Sequence, residues 1–222
     1  MLTEAKPADY VNRKFVCIFG QKENGKSTFA GYLKNAIFEQ SNKVFAFRHF
    51  ASPLRETVCN LMGLTKEEYH HYKNVDTPPP GMNVPVRYLA IEIAKVCRSA
   101  KETCFIDKVI YNLYDNWFIV DDGRFENELA ASRNAGGYNI FLTRPEKAVY
   151  AYRGPMDETE QFCGRFASYV NDPGKDGYAI PGKVFHSIIV NNSTLVDLQS
   201  AAEQLAYKIV NTYLAAHWPA EK

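Results

Sequence analysis

The stretch Phe15-Val16-Cys17-Ile18-Phe19-Gly20-Gln21-Lys22-Glu23-Asn24-Gly25-Lys26-Ser27 joins an apolar run to a polar loop flanked by glycines. An apolar run of this length, from Lys14 to Phe19 and stopping at a glycine, predicts a buried strand. Beyond the loop, Phe29, Tyr32, Leu33, Ala36 and Ile37 recur at helical spacing, which predicts a helix from Lys26 to Gln40. The loop itself fits G-x-x-x-x-G-K-[ST]. Glycines at its two ends let successive backbone N–H groups turn inward toward phosphate oxygens. Lys26 is then the cation for the β- and γ-phosphates, the Ser27 hydroxyl a ligand for Mg²⁺, and the helix start an end of favourable dipole. Gly20, Asn24, Gly25, Lys26, Ser27 and Thr28 are the expected binding residues for a nucleoside triphosphate.

Outward from this loop the chain alternates. Lys43 to Phe50 predicts a second strand. Pro53 begins a helix carrying Leu54, Val58, Leu61 and Met62, which Gly63 stops. Val86–Val96 and Lys101–Asp115 are expected to be helical. Trp117 to Val120 predicts a third strand closed by Asp121, Asp122 and Gly123. Phe125–Ala135 is a helix ending at Gly136 and Gly137, Tyr138–Thr143 a fourth strand, and Val184–Val190 a fifth. Leu195–Trp218 is a closing amphipathic helix, with Thr194 and Asp197 as its capping box. Two proline-bearing stretches, Pro78 to Pro85 and Pro145 to Pro181, are expected to be irregular excursions. Strands alternating with helices predict a three-layer α/β fold, a five-stranded parallel sheet covered on both faces. Ligands of such sheets bind at the carboxyl ends of the strands, where Gly20, Asp121, Asp122 and Arg144 fall.

The 222 residues suit one domain, and 46% hydrophobic with 23% charged residues is ordinary for a globular chain. Lys plus Arg is 26 against 25 for Asp plus Glu, so no overall field favours a polyanion, which argues against a nucleic-acid partner. No apolar run reaches the roughly 18 residues that span a bilayer, and Met1 to Asn12 is polar, so a cytoplasmic location is expected, the host's if a phage encodes the chain. Cys17, Cys59, Cys97, Cys104 and Cys163 are scattered and odd in number, which predicts reduced thiols. The triphosphate class is narrowed by absence: neither N-K-x-D nor D-x-x-G of GTPases occurs, and the third strand does not end in Asp-Glu as in motor or transporter ATPases. Small-molecule phosphotransfer remains.

Four further segments carry a resemblance. Ala51-Ser52-Pro53-Leu54-Arg55, Asp122-Gly123-Arg124-Phe125-Glu126-Asn127-Glu128, Gly136-Gly137 with Thr143-Arg144-Pro145, and Ile188 to Leu195 occur in this order after the loop. Together they resemble the phage-type deoxynucleoside monophosphate kinases. The resemblance implies a P-loop kinase with an acceptor-binding segment at about 51–115 and a lid at about 145–182. It implies ATP and Mg²⁺, a deoxynucleoside monophosphate as the small-molecule substrate, and allows a homodimer. Asp122 would serve the metal or orient the acceptor, although Asp121 stands nearer the usual position. Arg124 would grip the acceptor phosphate, with Pro53, Arg55 and Arg87 facing the same place. Arg144 and Arg153, with Arg165, would close on the triphosphate. Asn191 and Asn192 would touch adenine, and Tyr69, Tyr72 or Tyr88 could stack on the acceptor base. The rivals are a kinase of another phosphorylated small molecule such as phosphomevalonate, a kinase of a modified base in phage DNA, and a regulator that hydrolyses ATP slowly.

Overall fold

A computed structural model of the chain describes residues 15–75, 77–110, 117–145, 158–171 and 184–215. They divide into two compact units, His49–Asn112 and the remainder.

The larger unit is built on a five-stranded sheet: β1 (Phe15–Phe19), β2 (Ala46–Arg48), β3 (Phe118–Gly123), β4 (Tyr138–Thr143) and β5 (Ser187–Val190). Their order is β2-β3-β1-β4-β5, and every pair is parallel. The three inner strands are almost wholly buried, as continuous apolar runs require when both faces are covered. The two edge strands are shorter than expected. β2 covers only Ala46–Arg48 of the span 43–50, and β5 only Ser187–Val190 of 184–190. Each has a single neighbour and pairs with only part of it, β2 with Phe118 to Val120 and β5 with Ile140 to Thr143.

One face carries Val16, Ile18, Ile119, Ile140 and Leu142 against helices α1 (Lys26–Ser41) and α8 (Leu195–Lys208). The opposite face carries Phe15 stacked on Phe118, and Phe141 against Phe166 of α7 (Glu158–Asn171). On that side α6 (Glu126–Asn134) is tied to β4 through Ser132 Oγ, which donates to Asn139 Oδ1 at 2.5 Å. The three-layer α/β arrangement is therefore present. The stretch expected to be irregular between Pro145 and Pro181 contains α7, because its prolines flank the helix while Phe162 and Phe166 repeat within it one turn apart. Positions 146–157 and 172–183 lie outside the described residues.

Thr194 caps α8 reciprocally with Asp197, as expected. The helix then widens into a π-helical segment, Ile209–Leu214. Ile209 and Leu214 are both buried. On an α-helix residues five apart point about 140° apart, so the wider winding lets both face the core. Tyr213 anchors the segment by donating to the Gly136 carbonyl, and burial raises its phenol pKa.

The unit His49–Asn112 contains α2 (Ser52–Met62), α3 (Lys66–Lys73), α4 (Val86–Ala100) and α5 (Cys104–Ile110). Val58, Cys59, Tyr69, Val86 and Ala90 form its own small core. The helix α3 was not expected. Its signal is Thr65-Lys66-Glu67-Glu68, a capping box in which Thr65 Oγ1 accepts from Glu68 N at 3.1 Å and Glu68 accepts from Thr65 N at 2.8 Å. The helix expected over Lys101–Asp115 is described from Cys104 to Ile110, and 111–116 lie outside the described residues.

Candidate phosphate-binding site

The loop after β1 lies where the chain's crossovers diverge. From β1 the chain passes over β3 to β2, and from β3 it passes over β1 to β4, so the carboxyl end of β1 opens between departing connections. Gly20 N–H donates to the Gly123 carbonyl at 3.3 Å. A Cβ on Gly20 would collide with the Leu142 carbonyl oxygen, so only glycine lets the loop lie this close to β4. At its other end Gly25 has φ 92°, in the left-handed region, and caps α1. A Cβ there would sit 2.7 Å from Asn191 Nδ2.

The loop is bolted from two directions. Asn24, 1% exposed, donates from Nδ2 to the Leu142 carbonyl at 3.3 Å. Asn191 donates from Nδ2 to the Asn24 carbonyl at 2.9 Å, while its own N–H bonds the Thr143 carbonyl at 2.7 Å. The side-chain amide of Asn191 is thus directed at the loop backbone. Asn192 is exposed. Sequence reasoning placed both asparagines beside a base and missed this bracing, which depends on how closely Gly25 approaches β5's end.

Lys26 is 7% exposed, and its ammonium donates to the Gly20 and Gln21 carbonyls, each at 2.7 Å. Ser27 and Thr28 are exposed in the first turn of α1. No side chain caps that turn and no acidic residue lies in it, so its N–H groups and positive dipole end face outward without a carboxylate of α1.

The neighbouring end of β3 departs from regular pleating. Cys17 pairs with Val120 and Phe19 with Gly123, so Asp121 and Asp122 together stand opposite Ile18. This is a β-bulge, and it explains a feature that a regular strand would forbid. Successive side chains of a flat strand point to opposite faces, yet the carboxylate oxygens of Asp121 and Asp122 lie within 4.8 Å of each other. The strand continues through both aspartates to Gly123 instead of closing at Val120. Asp121 is buried and Asp122 half-buried. On the same face, burial above all raises the Cys17 thiol pKa, with the carboxylates of Glu128 and Asp122 adding to it. Cys17 is an inert packed thiol, and no disulfide joins any of the five cysteines.

Arg124 follows directly. Its N–H donates to Glu128 Oε2 at 2.8 Å, and its carbonyl accepts from Cys163 Sγ at 3.7 Å. Arg165 of α7 stacks over Phe162 and lies 3.4 Å from Glu126 Oε2, in the first turn of α6. Arg144 is half-buried at the end of β4, next to the Thr143 carbonyl that holds Asn191. Arg153 lies outside the described residues.

The remaining residues singled out belong to the smaller unit. Pro53 is buried in the first turn of α2. Arg55 donates to Ser52 Oγ at 2.9 Å and lies 3.3 Å from His70 Nε2. Arg87 is exposed in the first turn of α4. Tyr69 is a core residue at 3% exposure, which removes it from the stacking candidates, whereas Tyr88 is 58% exposed.

No protein-family model matches the chain, and no curated protein does. Among solved structures, the chain is similar to a shikimate kinase from Acinetobacter baumannii in complex with shikimate, at 17% identity and TM-score 0.44, over 95% of this chain and 98% of that one. It is similar to the Aquifex aeolicus shikimate kinase at 14% identity and TM-score 0.41, over 90% and 98% of the two chains. A Mycobacterium tuberculosis APS kinase, in complex with AMPPNP and APS, aligns at 10% identity and TM-score 0.33, over 90% and 96%.

Proposed function

We propose that this chain is a P-loop kinase that moves the γ-phosphate of ATP to the phosphate of a (deoxy)nucleoside 5′-monophosphate. The observation that carries the reading is the buried Lys26 ammonium, held between two loop carbonyls at the start of α1, where no side chain caps the helix; the neighbouring strand β3 carries two converging carboxylates. The loop fits a triphosphate on its own geometry. Glycine occupies both points where a Cβ would collide with the Leu142 carbonyl or the Asn191 amide, and the backbone is braced by Asn24 and Asn191.

Transfer between two phosphates needs position and charge neutralisation more than covalent chemistry from the protein. The Lys26 ammonium already donates to two carbonyl dipoles. Exchanging those for phosphate oxygens swaps one set of acceptors for another, so little desolvation opposes binding. The first-turn N–H groups of α1 would hold the β-phosphate. The Asp121–Asp122 pair offers the hard oxygen donors that suit Mg²⁺, and the Ser27 hydroxyl would join in holding it; the ion would supply neutralisation of triphosphate charge. Arg124, two residues past Asp122, would hold the acceptor phosphate in a two-bond fork and keep it in line with the γ-phosphorus. Arg144 sits at the same edge of the sheet and would offset charge that develops in transfer. For Pro53, Arg55 and Arg87 an acceptor role rests on the sequence resemblance alone.

A coupled ADP-release screen across all deoxy- and ribonucleoside monophosphates, with phosphomevalonate included, tests this. Turnover with at least one nucleoside monophosphate, lost in Lys26→Ala, is the expected result. Turnover with phosphomevalonate alone, or ADP release indifferent to any acceptor, would refute it. Comparing dGMP with GMP and dTMP with UMP reads the sugar preference, for which the deoxy forms are expected to win.

A further inference from the structure

The proposed acceptor arginine is held by its backbone from two sides, and neither holder is part of the phosphate-binding loop. Glu128, 6% exposed, places Oε2 2.8 Å from Arg124 N and 3.0 Å from Phe125 N. It stands at the third position of α6, where the helix start favours a carboxylate. Two N–H donors on one carboxylate oxygen fix the turn that launches the arginine, and a charged acceptor makes each bond stronger than a neutral one would. From the other side, the fully buried Cys163 thiol of α7 donates to the Arg124 carbonyl. The peptide groups on both sides of the Arg124 α-carbon are thereby pinned, so the origin of its side chain is set before any ligand arrives.

We propose that Glu128 and Cys163 are positioning residues for Arg124. They set where the guanidinium can reach and so govern acceptor binding without touching the acceptor. This rests on the acceptor role given to Arg124 above. A misplacement of even about 1 Å in a phosphoryl acceptor can cost on the order of a hundredfold in rate. Removing the carboxylate should therefore act on the acceptor side selectively.

The test pairs a readout that needs no reaction with one that does. Amide hydrogen exchange at Arg124 and Phe125 reports the clamp itself. In Glu128→Ala it should speed by at least about tenfold as the turn loosens, with α1 and the loop after β1 unaffected. Acceptor KM should rise about ten- to a hundredfold while ATP affinity by calorimetry holds. Glu128→Gln keeps an oxygen acceptor and should fall between wild type and Glu128→Ala in both readouts. Cys163→Ala should show the same acceptor-selective shift more weakly, and Cys163→Ser, which retains a donor, should restore it. If Glu128→Ala does not fold, Glu128→Gln and the Cys163 pair carry the test. Unchanged exchange at Arg124, or equal losses for ATP and acceptor, would overturn the proposal. So would loosened exchange with an unchanged acceptor KM in a protein whose Arg124→Lys variant does lose the acceptor. If Arg124→Lys leaves the acceptor untouched, the acceptor role of Arg124 fails first, and the positioning role falls with it.

Discussion

Asn191→Ala separates two roles that a single asparagine can play beside a nucleotide. In the folded chain its Nδ2 serves the Asn24 carbonyl, in a loop whose Asn24 is 1% exposed. Truncation leaves that buried oxygen without the donor, at a cost of roughly 1–3 kcal/mol. Taking about 2 kcal/mol, and about 2–4 °C per kcal/mol for a chain of this size, the melting temperature should fall by about 4–8 °C. The binding-competent loop is then less populated, and apparent triphosphate affinity falls with that population. The ceiling is about thirtyfold, since every 1.4 kcal/mol is tenfold. The decisive comparison is ATP against inorganic triphosphate, both by calorimetry. If Asn191 braces the loop, both ligands weaken by the same factor, because the base plays no part. If ATP weakens while inorganic triphosphate binds as before, the amide serves adenine and the bracing argument is wrong.

Other perturbations should be equally discriminating. Lys26→Ala should keep its circular dichroism spectrum and lose at least about a hundredfold in turnover, since a cation on the transferring phosphoryl is gone; near-normal turnover would end the catalytic reading of the loop. Arg124→Lys retains charge but loses one arm of a fork, so acceptor KM should rise about ten- to a hundredfold with ATP binding unchanged; the reverse pattern would invert the donor and acceptor sides. Stability should also depend on pH through His186, whose Nδ1 accepts from Asn139 N–H at 2.9 Å. Burial above all, with Arg133 and Lys208 adding repulsion, holds its pKa below the usual 6.5. The neutral ring is the folded form, so its contribution is full above pH 6.5 and is lost as the pH falls below that toward the lowered value. Thermal melts from pH 7.5 to 5 should therefore drop less steeply in His186→Gln, whose amide oxygen can accept the same bond; identical slopes would show that the ring does not matter.

Much of this architecture was legible because local signals agreed with the global fold. The apolar run before Gly20, the helical repeat after Lys26 and the Thr194–Asp197 box each depend on neighbours within a few residues. What could not be read depends on partners far along the chain. The roles of Asp121 and Asp122 could not be separated from the sequence, where alternation along a strand sets neighbours on opposite faces. Their convergence depends on the bulge, which exists only in the pairing of β3 with β1. The bracing role of Asn191 likewise requires Gly25 and Asn191 to meet across 166 positions of sequence (191 − 25). The α7 helix was obscured by a different cause: prolines at 145, 155, 173 and 181 colour the whole stretch, although none interrupts Phe162 to Phe166.

The strand order has a consequence for how the chain is made. β1 is the centre of the sheet, yet its partners begin at Phe118 and Tyr138. During synthesis Phe15 to Phe19 leaves the ribosome roughly a hundred residues ahead of the first strand able to flank it. At about 5–20 residues per second, five consecutive apolar residues wait about 5–20 s with neither edge satisfied. α1 can form in that interval and cover one face, since helices grow from local contacts far faster than sheets close over long loops. The other face, with Phe15, Cys17 and Phe19, must stay exposed until β3 and the helices beyond it have emerged. That wait is the interval in which the nascent chain is most open to aggregation, and chaperones that bind short apolar segments should raise its yield in a cell.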